Sequence, residues 1–149
     1  MEEIHVQKHG NGKRFIWGSV EKVQLLKRDD LLYLAGIVDG EGCVSVTYGT
    51  KAGHERIRLT ISNTDRNLID WLAARLGGCI TCTQSRGNRK PAYQWEVYSD
   101  KAFELLTILL PHLKLKHRQA ELCLQFHTDE SKRPWVTKQI RRMNARGKR

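Results

Sequence analysis

Two carboxylates, Asp39 and Glu41, stand at the end of an apolar run, Leu31-Leu32-Tyr33-Leu34-Ala35-Gly36-Ile37-Val38, that reads as a helix entered from an N-cap at Asp29 or Asp30. The end of a helix is the negative pole of its macrodipole, so acidic side chains are disfavoured there. A local rule broken twice within three residues marks a place kept for function. A cation bound at the carboxylates would relieve the conflict. Gly36 and Gly40 lie four apart on one face of the same helix, each costing roughly 1 kcal/mol against Ala. A bare glycine face suits a second backbone coming nearer than the usual ~8–10 Å between helix axes. The chain also carries a CxxC, Cys79-Ile80-Thr81-Cys82, with no second such pair to complete a zinc site. In a strand its two thiols point to opposite faces, and the motif reads as structural.

The elements that position these groups follow from periodicity. After the helix, Cys43–Tyr48 alternates as a half-buried strand, Gly49 to Gly53 turn the chain, and Arg56–Ser62 alternates again. Asn63-Thr64-Asp65 reads as a cap for a helix with Leu68, Ile69, Leu72 and Leu76 inward, ended by Gly77-Gly78. A second hairpin pairs Cys79–Gln84 with Tyr93–Tyr98. Ser99 or Asp100 caps a helix through Leu110, another runs from Lys116 to His127, and Pro134 opens a last one reaching Asn144. Residues 1–28 are a polar lead-in with one apolar patch, read as a small cap on the core or an arm. The expected domains are this extension, a core over 29–130, and a basic helix and tail over 131–149. The order is that of an α+β fold, αββαββα, with a four-stranded antiparallel sheet backed by helices on one face only.

The net charge of +10 is unevenly spread: residues 1–50 hold 6 Lys/Arg against 7 acids, whereas residues 101–149 hold 12 against 4. Such asymmetry points to a polyanion. No run of about 18 apolar residues exists, so no membrane-spanning helix is expected. The acidic start, Met1-Glu2-Glu3-Ile4-His5, is unlike a signal peptide. Four cysteines are few for a disulfide scaffold, and a reduced compartment, cytoplasmic or organellar rather than secreted, is expected. Alternation assigns Ser45, Thr47, Gly49, Lys51, Arg56, Arg58, Thr60 and Ser62 to the open face of the first hairpin. It assigns Cys82, Gln84, Arg86, Gln94 and Glu96 to that of the second. Such groups read base edges in a major groove, which admits a two-stranded ribbon. Lys138, Arg141 and Arg142 on the last helix suit phosphates, giving affinity without sequence information.

Leu34-Ala35-Gly36-Ile37-Val38-Asp39-Gly40-Glu41-Gly42 resembles the nine-residue signature of the LAGLIDADG homing endonucleases, with conservative variants at Ile37, Val38, Gly40 and Glu41. The resemblance covers roughly residues 29–128. It implies a curved sheet straddling duplex DNA and, with one signature rather than two, a homodimer whose signature helices meet at the two-fold axis through Leu32, Ala35, Gly36, Asp39 and Gly40. It implies that Glu41 is the metal ligand, in a position more often Asp, with the Gly40 carbonyl as a further ligand and Asp39 supporting the turn. Leu59–Asp65 resembles a family segment whose last residue positions the attacking water, which would be Asp65. Leu113-Lys114-Leu115-Lys116-His117-Arg118-Gln119-Ala120 resembles a late segment whose second lysine, Lys116, would face the reacting phosphate. Lys114 and Arg118 would be phosphate or surface contacts. Ile69 occupies a position that is basic in some relatives. The implied activity is Mg²⁺-dependent hydrolysis of both strands of a long, roughly palindromic site, leaving short 3′ overhangs, in intron or intein mobility; Mn²⁺ or Ca²⁺ would substitute in binding. The rival reading keeps the fold without cutting: an intron-RNA maturase or a DNA-binding regulator.

Overall fold

The computed structural model describes residues 5–9, 13–18, 26–49, 53–84 and 87–145. Helix α1 (Arg28–Glu41) leads directly into β3 (Gly42–Tyr48), which turns back as β4 (Glu55–Asn63). Helix α2 (Arg66–Leu76) separates this hairpin from a second, β5 (Gly78–Thr83) and β6 (Ala92–Tyr98). Helices α3 (Ser99–Leu109), α4 (His117–Thr128) and α5 (Arg133–Ala145) follow, joined by single 3₁₀ turns at Leu110–His112 and Glu130–Lys132. The α+β order αββαββα is therefore present, and its four strands form an antiparallel sheet in the order β5-β6-β4-β3. The lead-in adds what alternation did not reveal: β1 (His5–His9) and β2 (Lys13–Gly18) pair with each other, and β2 pairs with β5 through Ile16↔Ile80 and Trp17↔Cys79. The sheet has six strands in the order β1-β2-β5-β6-β4-β3.

One face of the sheet carries the core. Val44, Ile57, Leu59, Ile61, Ile80, Trp95 and Val97 are buried there against Leu34 and Val38 of α1, Leu72 of α2, Leu105 and Leu109 of α3, and Phe126 of α4. Trp95 is fully buried, and its indole N–H donates to the Gly77 carbonyl. That packing dictates the glycine at 78. Its φ is +89°, and a Cβ would lie 2.7 Å from the Glu96 carbonyl oxygen and 2.8 Å from the Trp95 Nε1.

Two helix starts differ from the sequence reading. Lys27, not Asp29 or Asp30, is the N-cap of α1, without a side-chain bond. The two aspartates fall in the first turn, where they meet the positive helix end. Asp30 also accepts from Arg75 of α2 at 2.6 Å. Helix α3 starts from Tyr98 in the same way, with Ser99 at φ 49° and Asp100 facing His127 at 3.1 Å. Ala35, assigned to the partner-facing side of α1, is 2% exposed and belongs to the core; it neighbours Leu34 and precedes Val38 by three residues, which puts all three on the buried stripe. Among the described residues no helix is long and apolar enough to cross a membrane.

Candidate active site

Helix α1 ends where the chain turns into β3, so Asp39, Gly40 and Glu41 project from one end of the sheet. The two carboxylates part company here. Asp39 is consumed within the chain: its carboxylate accepts the backbone N–H groups of Lys114 at 2.8 Å, Leu115 at 3.2 Å and Lys116 at 3.0 Å. Burial pushes the Asp39 carboxyl up, but the N–H groups of Lys114, Lys116 and Leu115 and the nearby Lys116 ammonium outweigh it and hold it below its usual 3.8. The Lys116 ammonium in turn donates to the Asp39 carbonyl at 2.6 Å, placing a cation on the negative pole of α1. Half of the conflict read from the sequence is thus settled by an internal lysine.

Glu41 is the other half. It is exposed, and its carboxylate has no hydrogen-bond or ion-pair partner among the described residues. Gly40 beside it is exposed as well. No group of three or more His, Cys, Asp or Glu side chains among the described residues could hold a metal ion. At this end of the sheet the described residues thus offer the free Glu41 carboxylate with the Gly40 carbonyl beside it. That donor set fits Mg²⁺, which keeps several waters and takes one or two carboxylates alongside phosphate oxygens.

Asp65 caps α2, its Oδ1 accepting from Asn67 N at 2.8 Å and Leu68 N at 3.4 Å. Its own N–H donates to Asn63 Oδ1 at 2.8 Å. Asn63, which the sequence reading did not single out, ends β4 two residues beyond Ile61, the partner of Gly42. It therefore shares the sheet end with Glu41. In the run Ser62-Asn63-Thr64-Asp65 the resemblance points to Asp65 and alternation to Ser62, whereas Asn63 reads only as part of the cap. Ile69 is fully buried in α2.

The other face of the sheet is polar. Strand pairing puts Ser45 opposite Arg58 and Thr47 opposite Arg56, then Thr60 opposite Glu96 and Ser62 opposite Gln94. On β5 the phase is one residue from that expected: Thr81 pairs with Gln94 and Cys79 with Glu96, whereas Cys82 pairs with Tyr93 on the helix-facing side. Ile80 opposite Trp95 sets this phase, because the core claims the larger apolar side chain. Gln84 lies beyond the end of β5, and Lys51 and Arg86 fall outside the described residues. Thr60 and Glu96 are buried within the face, at 6% and 7% exposure. Ser45 Oγ, Arg56 Nε and Arg58 Nε are buried without a hydrogen-bond partner among the described residues. Arg56 and Arg58 are themselves only partly buried, and their terminal guanidinium nitrogens suit an anionic ligand laid across the sheet. Burial and then the charge of Glu96 push the Cys79 thiol up to about 11, so it is no nucleophile.

Lys114, in the bend before α4, is exposed, as are Lys138 and Arg142 on α5. Arg118 is paired with Glu121 at 3.1 Å. Arg141 is held by Glu55 at 3.0 Å and lies over the Tyr48 ring, so it fastens α5 to the β3–β4 hairpin. Leu32 and Tyr33 of α1 are 43% and 57% exposed, and among the described residues nothing lies within 4 Å of a Cβ built on Gly36 or Gly40.

No family model and no curated protein sequence matches the chain. Solved structures do. The homing endonuclease I-CvuI in complex with its target in the presence of Ca is 25% identical, with a TM-score of 0.55 over 74% of each chain. The same enzyme with the I-CreI target, in the presence of Mg and with DNA not cleaved, is 27% identical at TM-score 0.55. The archaeal intron-encoded homing endonuclease I-Vdi141I complexed with DNA shares the fold at TM-score 0.58 and 17% identity, over 76% of this chain and 83% of that one. The chain thus shares the fold of these homing endonucleases, and its Leu34–Gly42 run resembles the LAGLIDADG signature.

Proposed function

We propose that the chain acts as a homodimeric, sequence-specific, divalent-metal-dependent DNA endonuclease that makes double-strand breaks with short 3′ overhangs. The observation that supports this reading is Glu41, a carboxylate with no partner among the described residues, at the end of a helix whose Gly36 and Gly40 likewise have no neighbour among them. Two copies packed through that face bring two Glu41 carboxylates together, one for each strand. Like charges held so close repel unless a cation lies between them. The Glu41 carboxylate and the Gly40 carbonyl of each copy would hold Mg²⁺. Bound there, a divalent ion lowers the pKa of a water and offsets charge on the leaving oxygen.

The chain's own groups do the rest. The polar sheet face binds and registers the duplex. Lys116, whose ammonium donates to the Asp39 carbonyl, sets a positive charge at the end of the helix that carries Glu41, from where it would steady charge on the phosphate. Asn63 and Asp65, hydrogen-bonded to each other at the same sheet end, hold water near the reacting phosphate. Lys138 and Arg142 lie along the backbone of the DNA. The biological role in this reading is mobility of an intron or intein.

Incubating the chain with a randomised duplex pool and Mg²⁺, then sequencing the ends, tests the reading. Discrete cuts with short 3′ overhangs are expected. Binding without cutting under either Mg²⁺ or Mn²⁺ would overturn it and favour a maturase or regulator.

A further inference from the structure

On the polar sheet face one group is out of keeping with a DNA-binding surface. Glu96 is an acid, and it is 7% exposed at the centre of that face. An unpaired buried carboxylate is costly, and one facing phosphates more so. Its surroundings resolve the difficulty. The Gln94 amide donates to Glu96 Oε2 at 3.1 Å, and Arg58 Nη1 lies 3.8 Å from the same oxygen. Ser62 Oγ, on the far side, donates to Gln94 Oε1 at 3.2 Å. Burial, then a hydrogen bond to Glu96 and its charge, push the Tyr98 phenol up to about 12, and Arg56 lies 3.8 Å above that ring.

An ionised carboxylate can only accept. The Gln94 NH₂ must therefore turn toward Glu96 and its carbonyl oxygen toward Ser62, which removes the choice of amide orientation. One N–H and one acceptor lone pair of that amide are left over, in a fixed order. Arg58 Nη1 is drawn toward the Glu96 carboxylate and its Nε is buried without a partner among the described residues, so the half-buried guanidinium meets the surface through its terminal nitrogens. Those leftovers match the purine edges of the major groove: a guanidinium for guanine, an oriented amide for adenine.

We propose that Glu96 is a positioning residue for base recognition, touching no DNA itself but fixing the orientation in which Arg58 and Gln94 meet the groove. This rests on the reading of the sheet as the DNA face. Arg58 then favours a guanine and Gln94 an adenine on neighbouring positions of each half-site.

The test is selection from a randomised duplex pool in Ca²⁺, so that binding is read without cutting, by the native chain and by Glu96→Gln. A glutamine at 96 fits the space but can donate as well as accept, so Gln94 is free to flip. The expected result is an unchanged melting temperature and salt dependence, with the guanine and adenine preferences at two positions falling roughly tenfold. Ser62→Ala, at an exposed site that folding does not depend on, should relax the adenine preference and leave the guanine intact. An unchanged base profile in Glu96→Gln, or in Ser62→Ala should Glu96→Gln fail to fold, overturns the proposal. So does loss of a cytosine preference in Glu96→Gln, which would mean that Glu96 reads a base directly. A native chain that selects no sequence at all would instead sink the DNA reading itself.

Discussion

Asp39 and Lys116 hold each other from both ends: the Asp39 carboxylate accepts the Lys116 N–H at 3.0 Å, and the Lys116 ammonium donates to the Asp39 carbonyl at 2.6 Å. The pair ties the end of α1 to the start of α4 across 77 residues of sequence. Removing the carboxylate by Asp39→Ala should lower stability by about 1 kcal/mol, the usual worth of a cap. The pH dependence follows from the lowered pKa. Because the folded-state value lies below the usual 3.8, the carboxylate's contribution is fully present above that value and is lost as pH falls through the folded one. Acid titration of the melting temperature should therefore show a shallower fall below about pH 4 in Asp39→Ala than in the native chain; parallel curves would contradict the assignment.

Gly36 separates folding from association. Among the described residues nothing lies within 4 Å of a Cβ at this position, so Gly36→Ala meets no clash with them. It should raise the stability of the monomer by roughly 0.5–1 kcal/mol through helix propensity. If the glycine face is a seam between two helices, the same change should weaken dimerisation in sedimentation experiments. A stabilised chain with undiminished dimerisation would place the interface elsewhere.

Gly78 behaves in the opposite way. Its positive φ and the 2.7 Å approach to the Glu96 carbonyl leave no space for a methyl group. Gly78→Ala should cost at least about 2 kcal/mol in chemical denaturation, as strained backbone and overpacking do together. Gly53, at φ +78° with open space around it, should tolerate the same change better.

The basic helix α5 divides by partner. Lys138 and Arg142 are exposed, while Arg141 is engaged by Glu55. Replacing Lys138 and Arg142 by Ala should reduce the slope of log affinity against log salt by about 2, near 0.9 for each phosphate that is no longer neutralised. Arg141→Ala should leave that slope nearly unchanged and loosen α5 instead. An equal fall in slope for Arg141→Ala and Arg142→Ala would show that Arg141 leaves Glu55 to bind DNA.

Periodicity made α1, both core hairpins and the helices legible, because each buries one stripe against the sheet. The phase of β5 was not, since Cys79-Ile80-Thr81-Cys82-Thr83 offers little contrast in polarity, and only pairing with Trp95 decides which side faces inward. The β1–β2 hairpin escaped for a related reason: its apolar residues Phe15-Ile16-Trp17 are consecutive and do not alternate. The site was half visible. Glu41 stood out as an acid at the wrong end of a helix. That Asp39 is answered by Lys116 depends on hydrogen bonds spanning the whole fold, which no local pattern reports.

In the proposed reaction Glu41 is the carboxylate that each chain offers to the metal. The decisive measurement compares the native chain and Glu41→Gln on a duplex selected by binding, with cutting followed in Mg²⁺ and binding in Ca²⁺. Cutting should fall by at least about a hundredfold, as when a charge-stabilising group is removed, while binding stays within a few-fold. A Glu41→Gln chain that cuts at the native rate would contradict the account.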